Sequence, residues 1–157
     1  MLDEIDHYDL RILQELQKDG RISVVELAQR IHLSKSPCLK RLRRLERGGF
    51  IRGYRAELDP DKVTQSYLVY VQVKLETTKS EQLEAFNAAV KSVPQILACH
   101  MLSGGFDYLL KVRTRDTAAY RKLLGDVIAT LPGISQTSTY PVLEEIKDTT
   151  VLPIDRV

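Results

Sequence analysis

At 157 residues, with 43% hydrophobic and 28% charged residues, the chain has the composition of an ordinary globular protein and the length of one large domain or two small ones. No apolar run is long enough to span a bilayer, and the acidic start Met1-Leu-Asp-Glu-Ile-Asp6 lacks a signal-peptide core. Cys38 and Cys99 lie too far apart for a metal or disulfide framework, so a reducing cytoplasm is expected and no metal.

The first predicted element is a helix over about Asp6 to Asp19. Asp6 can cap it and Asp9 suits its positive end. Leu10, Leu13 and Leu16 recur three apart with Ile12 beside them, and Gly20 supplies the stop. Ser23-Val-Val-Glu26 reads as a capping box opening a second helix, roughly Val24 to Ile31, that buries Leu27, Ala28 and Ile31. After His32-Leu33, Ser34 or Ser36 can cap a third helix that Gly48-Gly49 ends.

That third helix concentrates the charge. From Lys35 to Arg55 there are eight Lys or Arg against Glu46 alone, a local net of +7 in a chain of net +2. At about 100° per residue, Cys38, Leu42 and Leu45 share one face, with Leu39 at its border. Lys40, Arg43, Arg44 and Arg47 cover the other. A basic amphipathic helix alone reads more simply as a solvated one. Three short helices with a tight turn before the basic one describe a helix-turn-helix, whose second helix enters the DNA major groove. The alternating stretch Phe50 to Leu58, carrying Arg52 and Arg55, is expected as a strand-like wing, or simply as the strand leaving the domain. Ser36, Lys40 and Arg44 are the expected base-edge or phosphate contacts, with Arg41, Arg52 and Arg55 on the backbone and Ser34, Lys35 and Pro37 at the helix start.

Asp59-Pro-Asp-Lys62 marks a boundary, which gives a first domain over 1–59, a linker over 60–65 and a second domain over 66–157. Beyond Pro60 the acids and bases balance, eleven against eleven, so the second half is not built to hold DNA. It contains a weak repeat. Strand-like Tyr67 to Lys74 and a helix over Ser80 to Val93 precede Pro94-x-Ile96; strand-like Asp107 to Arg113 and a helix over Asp116 to Leu131 precede Pro132-x-Ile134, 38 residues on. Two such units make βαββαβ, the ferredoxin-like arrangement, so the whole is α+β. The last strand belongs at the sheet edge, where Pro141 is tolerated. The tail from Glu144 adds a further strand or an arm. Between the units, Gly104-Gly105 permits a tight hairpin with open backbone amides, which can hold a carboxylate, while Asp107 can hold an ammonium group. That set suits a free α-amino acid; an ordinary turn with a solvated Asp is the plainer alternative.

Chemistry of the catalytic kind finds no support. Cys99 and His100 are neighbours in a strand and point to opposite faces, and His7, His32 and His100 share no ligand spacing. No nucleophile–base set or phosphate loop is present, so neither enzyme activity nor a cofactor is expected.

Longer stretches carry a family resemblance that runs nearly end to end. They are Ile12-Leu-Gln-Glu-Leu-Gln-Lys-Asp-Gly-Arg-Ile-Ser23, Pro37-Cys38, Arg43-Arg-Leu-Glu46 with Gly49-Phe-Ile51, Ser103-Gly-Gly-Phe-Asp-Tyr-Leu-Leu110, Tyr120-Arg-Lys-Leu-Leu124, Leu131-Pro-Gly133 and Glu144-Glu-Ile-Lys147. In these the chain resembles the leucine-responsive regulatory protein/AsnC (feast/famine) transcription regulators, nearest to those that govern proline and branched-chain amino-acid catabolism. The resemblance implies an N-terminal winged helix-turn-helix on double-stranded DNA and a C-terminal ferredoxin-like domain of the RAM type. It further implies dimers that assemble to tetramers or octamers, an amino-acid effector (leucine or proline first) between dimers, and a cytoplasmic, nucleoid-associated location. It places the effector loop on Gly104, Gly105, Asp107 and Tyr108, with Thr137, Ser138 and Thr139 facing it. Two departures stand out: Lys35 where relatives have Pro, and Pro141 where they commonly have Val. A DNA-compacting architectural protein with little effector response is the alternative function.

Overall fold

The computed structural model describes residues 5–154. The chain forms two compact units. One runs to Glu57 and takes in the segment from Lys147 on; the other is Leu58–Ile146.

The first unit has three helices: α1 (His7–Lys18), α2 (Val24–Arg30) and α3 (Lys35–Arg47). Asp6 caps α1, its side chain accepting from the amides of Tyr8 and Asp9, while the Asp9 carboxylate accepts from the Asp6 amide. The reciprocal capping box therefore stands at α1. At α2 only half of the expected box forms. Ser23 Oγ accepts from the Glu26 amide, but the Glu26 carboxylate pairs with Arg30 at 2.7 Å, one helical turn on. Ser34 occupies the N-cap of α3 without a side-chain cap bond. At its other end Gly49, at φ +74°, lets the Gly49 and Phe50 amides reach Glu46 O and Leu45 O, the Schellman closure.

The core of this unit is Ile12, Leu27, Ala28, Ile31, Cys38, Leu42 and Leu45. The α2 and α3 faces are as expected. In α1 the fully buried apolar residue is Ile12, while Leu10, Leu13 and Leu16 are half-buried flanks. Burial raises the Cys38 thiol above its ordinary value, as befits a small core residue.

The expected wing strand is not formed. Residues 52–59 are exposed, and the first unit contains no strand among the described residues. Ile51 packs against the core and the Tyr54 hydroxyl donates to Glu46 Oε1 at 3.0 Å. Gly53 between them sits at φ +152°, which breaks the alternation, and a single extended segment has no second strand here to pair with. Burial and then the Glu46 carboxylate push the Tyr54 phenol up to about 12, so it stays a hydrogen-bond donor.

The second unit is a four-stranded antiparallel sheet in the order β2-β3-β1-β4. Its strands are β1 (Tyr67–Leu75), β2 (Ile96–Met101), β3 (Tyr108–Thr114) and β4 (Ile134–Pro141); α4 (Ser80–Val90) and α5 (Thr117–Asp126) connect them. This is the ferredoxin-like βαββαβ order. Both helices stop short of the expected ends: α4 at Val90, and α5 at Asp126, after which Ile128–Thr130 tightens into a 3-10 turn. Alternate residues Val69, Val71 and Val73 of β1 and Tyr108, Leu110 and Val112 of β3 face the helices, where they meet Phe86, Val90, Tyr120, Leu123 and Ile128. β4 lies at the edge, and Pro141 opposite Val69 ends it. The tail forms an arm rather than a strand. Gln17 exchanges two hydrogen bonds with Leu152, and Gln14 Nε2 donates to Ile154 O, so the arm runs along α1.

Candidate DNA interface and effector loop

Burial of Cys38, Leu42 and Leu45 fixes which side of α3 faces outward. Opposite them, on one exposed line, lie Ser36, Lys40, Arg43 and Arg47. Lys35 and Pro37 flank the line, also exposed, and Ser34 leads into it. Arg43 and Arg47 were legible as members of the cationic face but were not among the expected contacts. Counting spacing from the buried residues outward identifies them.

Arg41 and Arg44 are placed differently. They lie to one side of the line and turn back onto α1. Arg41 Nη1 meets Asp6 Oδ2 at 2.6 Å and Asp9 Oδ1 at 3.1 Å, with its guanidinium 5.4 Å from the Tyr8 ring centroid. Arg44 Nη2 pairs with Asp9 Oδ2. Asp9 is fully buried, whereas the Arg44 side chain is 55% exposed. At Asp6, burial opposes ionisation, but the Asp9 amide, Arg41 and the Tyr8 amide outweigh it and hold its carboxyl below the ordinary value. Arg52 and Arg55 are exposed on the irregular segment beyond α3.

The residues expected to bind an effector lie in the other unit. The Leu102 amide donates to Asp107 O at 2.9 Å and closes a loop over residues 103–106. The Asp107 amide donates to Val73 O at 2.9 Å, and Asp107 Oδ2 accepts from the Leu75 amide at 2.7 Å. The carboxylate is thus fastened to β1 through one oxygen instead of standing free in solvent. Gly104 and Gly105 are exposed, and neither has a positive φ. A Cβ on either would meet nothing within 4 Å, so the fold of this chain does not itself demand glycine there.

Tyr108 does not join the loop's surface. Its ring packs on Phe86, centroids 4.4 Å apart, and burial raises its phenol above the ordinary value, so only its backbone can reach a loop ligand. Thr137 and Thr139 pair opposite Val73 and Val71 and share their helix-facing side, while Ser138, opposite Gln72, is on the other face. Thr139 Oγ1 shares a hydrogen bond with the Tyr120 hydroxyl. Both Tyr108 and Thr137 pair with Val73 from opposite sides, which sets them two strand spacings apart, about 10 Å. Within one chain, β1 therefore separates the loop from the β4 residues. A shallow cleft lined by Thr64, Gln95, Thr114 and Arg115 lies at the far end of β3 and includes none of these residues.

Among the described residues no cluster of His, Cys, Asp or Glu could hold a metal, and no helix is long and apolar enough to cross a membrane.

Residues 5–52 match the winged helix-turn-helix DNA-binding family, and residues 68–152 match the Lrp/AsnC ligand binding domain. The chain is 52% identical over 151 residues to the leucine-responsive regulatory protein of Escherichia coli (strain K12), spanning 96% of this chain and 92% of that one. It is 48% identical over 147 residues to the proline dehydrogenase transcriptional activator of Rhizobium radiobacter, spanning 94% of each. Among solved structures, a transcriptional regulator from Neisseria meningitidis in complex with L-Met has a TM-score of 0.89 at 38% identity, over 95% of this chain and 96% of that one. An AsnC family transcriptional regulator from Agrobacterium tumefaciens has a TM-score of 0.90 at 36% identity, over 95% and 97%. The chain belongs to the Lrp/AsnC family of DNA-binding transcriptional regulators with an amino-acid-binding domain, and it is not an enzyme.

Proposed function

We propose that this regulator governs genes of amino-acid metabolism, reading operator DNA with α3 and answering to a small amino acid, leucine or proline first. The observation that carries the DNA half is the exposed line of Ser36, Lys40, Arg43 and Arg47, backed by buried Cys38, Leu42 and Leu45. In this reading Ser36, Lys40 and Arg43 meet base edges or phosphate in the major groove. Ser34, Lys35 and Pro37 bring the helix start, with its open amides, to the backbone. Arg52 and Arg55 add phosphate contacts from the extended segment, while Arg41 and Arg44, paired with Asp6 and Asp9, stay against α1. In this division of labour DNA belongs to 1–59, a linker to 60–65 and the effector to 66–146; the segment from Lys147, expected with the effector domain, belongs instead to the compact unit of the helices because it hydrogen-bonds along α1.

The effector half rests on the exposed loop amides, on the room at Gly104 and Gly105 for close approach, and on the Asp107 carboxylate beside them. The loop and Thr137, Ser138 and Thr139 of one chain do not converge. A pocket using both is therefore completed by a second copy, which ties effector binding to assembly as dimers and octamers. The sheet face away from α4 and α5 supports dimerisation: it presents Tyr70, Gln72, Leu109 and half-exposed Tyr140, whose hydroxyl donates to Gln72 Oε1 at 3.2 Å. The resulting location is cytoplasmic and nucleoid-associated.

The test of the DNA half is fluorescence anisotropy on a duplex from the protein's own upstream region, titrated with salt and repeated with excess random duplex. Arg43→Ala is expected to weaken binding and to reduce the log–log salt slope by about 0.9, the value of one lost phosphate contact. An unchanged slope and affinity would remove α3's outward line from the interface. Equal affinity for operator and random DNA would favour a compacting protein instead.

A further inference from the structure

The four charges between α1 and α3 form a closed set: two carboxylates, Asp6 and Asp9, against two guanidiniums, Arg41 and Arg44. Each of the four is engaged within the set. The acids also have backbone work, since both take part in the α1 capping box. Asp9 is fully buried, and pulling its guanidinium partners away would leave an uncompensated buried carboxylate. That cost exceeds what one surface phosphate contact returns, because such a contact is made in water and screened by salt. Two of the eight cations between Lys35 and Arg55 are therefore withheld, while Lys40, Arg43 and Arg47 stand on the outward line.

We propose that Asp6 and Asp9 are specificity-determining residues of the DNA interface: they hold Arg41 and Arg44 against α1 and so keep two cations out of the set that binds phosphate without regard to sequence. The inference rests on the reading of α3 as the DNA-reading helix. Its physical basis is that sequence-independent affinity scales with the number of phosphates neutralised, whereas discrimination comes from contacts to bases. A cation held by an acid adds little to the first and leaves the second to the outward line. The same pairing fixes α3 on α1 from its side, so the line is presented at one angle.

The test uses the full-length protein with Asp6→Asn, Asp9→Asn and the double variant. Asparagine preserves the Asp6 cap, being as good an N-cap as aspartate, and removes only the charge. Anisotropy is read on a short duplex of random sequence and on the upstream duplex, each across a salt series, after circular dichroism has shown each variant folded. The expected result is a steeper salt slope on random DNA, by about 0.9 for each released cation, and a roughly 3- to 8-fold gain in non-specific affinity near 0.1 M salt. The ratio of specific to non-specific affinity falls accordingly. Asp6→Asn alone leaves Arg41 on Asp9 and serves as the control with little change of slope. If Asp9→Asn does not fold, Arg44→Gln decides the matter from the other side: a cation already withheld leaves the salt slope on random DNA unchanged when it is removed, and a slope shallower by about 0.9 overturns the proposal. A folded Asp9→Asn or double variant whose slope is unchanged or shallower overturns the proposal. Wild-type protein with no salt-dependent DNA binding sinks the underlying DNA reading instead, an outcome the variants do not share.

Discussion

Gly49 is where α3, the proposed DNA-reading helix, is made to stop. Its φ of +74° belongs to a region that costs a residue with a Cβ about 1–2 kcal/mol, and the Schellman bonds to Leu45 and Glu46 depend on it. Gly49→Ala is expected to destabilise the helical unit by that amount, measured by urea denaturation followed by circular dichroism. No loss would mean that α3 frays there without cost. Carboxylates supply the other residue-scale expectation. Asp6 has a net lowered pKa despite burial, because the Asp9 and Tyr8 amides and Arg41 favour its charged form. Glu15 is lowered by Lys18 and then Arg30. Each contributes stability that is present above its unfolded value, 3.8 and 4.5 respectively, and is lost as pH falls toward the depressed folded value. Melting temperature should therefore drop as pH is lowered through about 4.5, and drop less in Asp6→Asn. An identical acid profile for that variant would show that Asp6 carries none of the effect.

At the scale of elements, the three helices and the βαββαβ order were legible because both rest on periodicity. Cys38, Leu42 and Leu45 mark one face of α3, and alternation in β1 and β3 marks one face of the sheet. What was not legible depended on which of several possible partners each group takes. A capping box could be drawn at Ser23 or at Asp6, and only the pull of Arg30 on Glu26 decided against the first. Alternation from Phe50 to Leu58 suggested a strand, but a strand needs a neighbour, and Gly53 turns the chain. The side of α3 on which Arg41 and Arg44 lie is visible in the sequence; that Asp6 and Asp9 wait there is not. Likewise Asp107 reads as a solvated acid until the Leu75 amide is placed against it. That bond shapes the effector test. Asp107→Asn retains an oxygen for Leu75 and loses the charge that would meet an ammonium group. It is expected to leave the circular dichroism spectrum and DNA affinity intact and to weaken amino-acid binding by roughly 10- to 100-fold in calorimetry, the worth of a hydrogen bond to a charged group. Unchanged amino-acid affinity would confine Asp107 to holding the hairpin.

At the scale of the whole molecule, the proposed function requires that an amino acid bound at one unit alter DNA binding at the other. A ligand shifts an equilibrium only by its differential affinity for the states involved, and typical couplings are about 1–3 kcal/mol. The candidate effector residues of one chain lie on both sides of β1, so in the proposed account the states that differ in affinity are states of assembly. The measurement that bears most directly on this is fluorescence anisotropy of the full-length protein on its own upstream DNA, at fixed salt, with excess random duplex, across a panel of amino acids headed by leucine and proline. The expected result is specific binding whose affinity moves by roughly 5- to 150-fold with one amino acid. Specific binding that no amino acid alters would contradict it, leaving a transcription regulator whose Gly104–Gly105 loop is a structural hairpin.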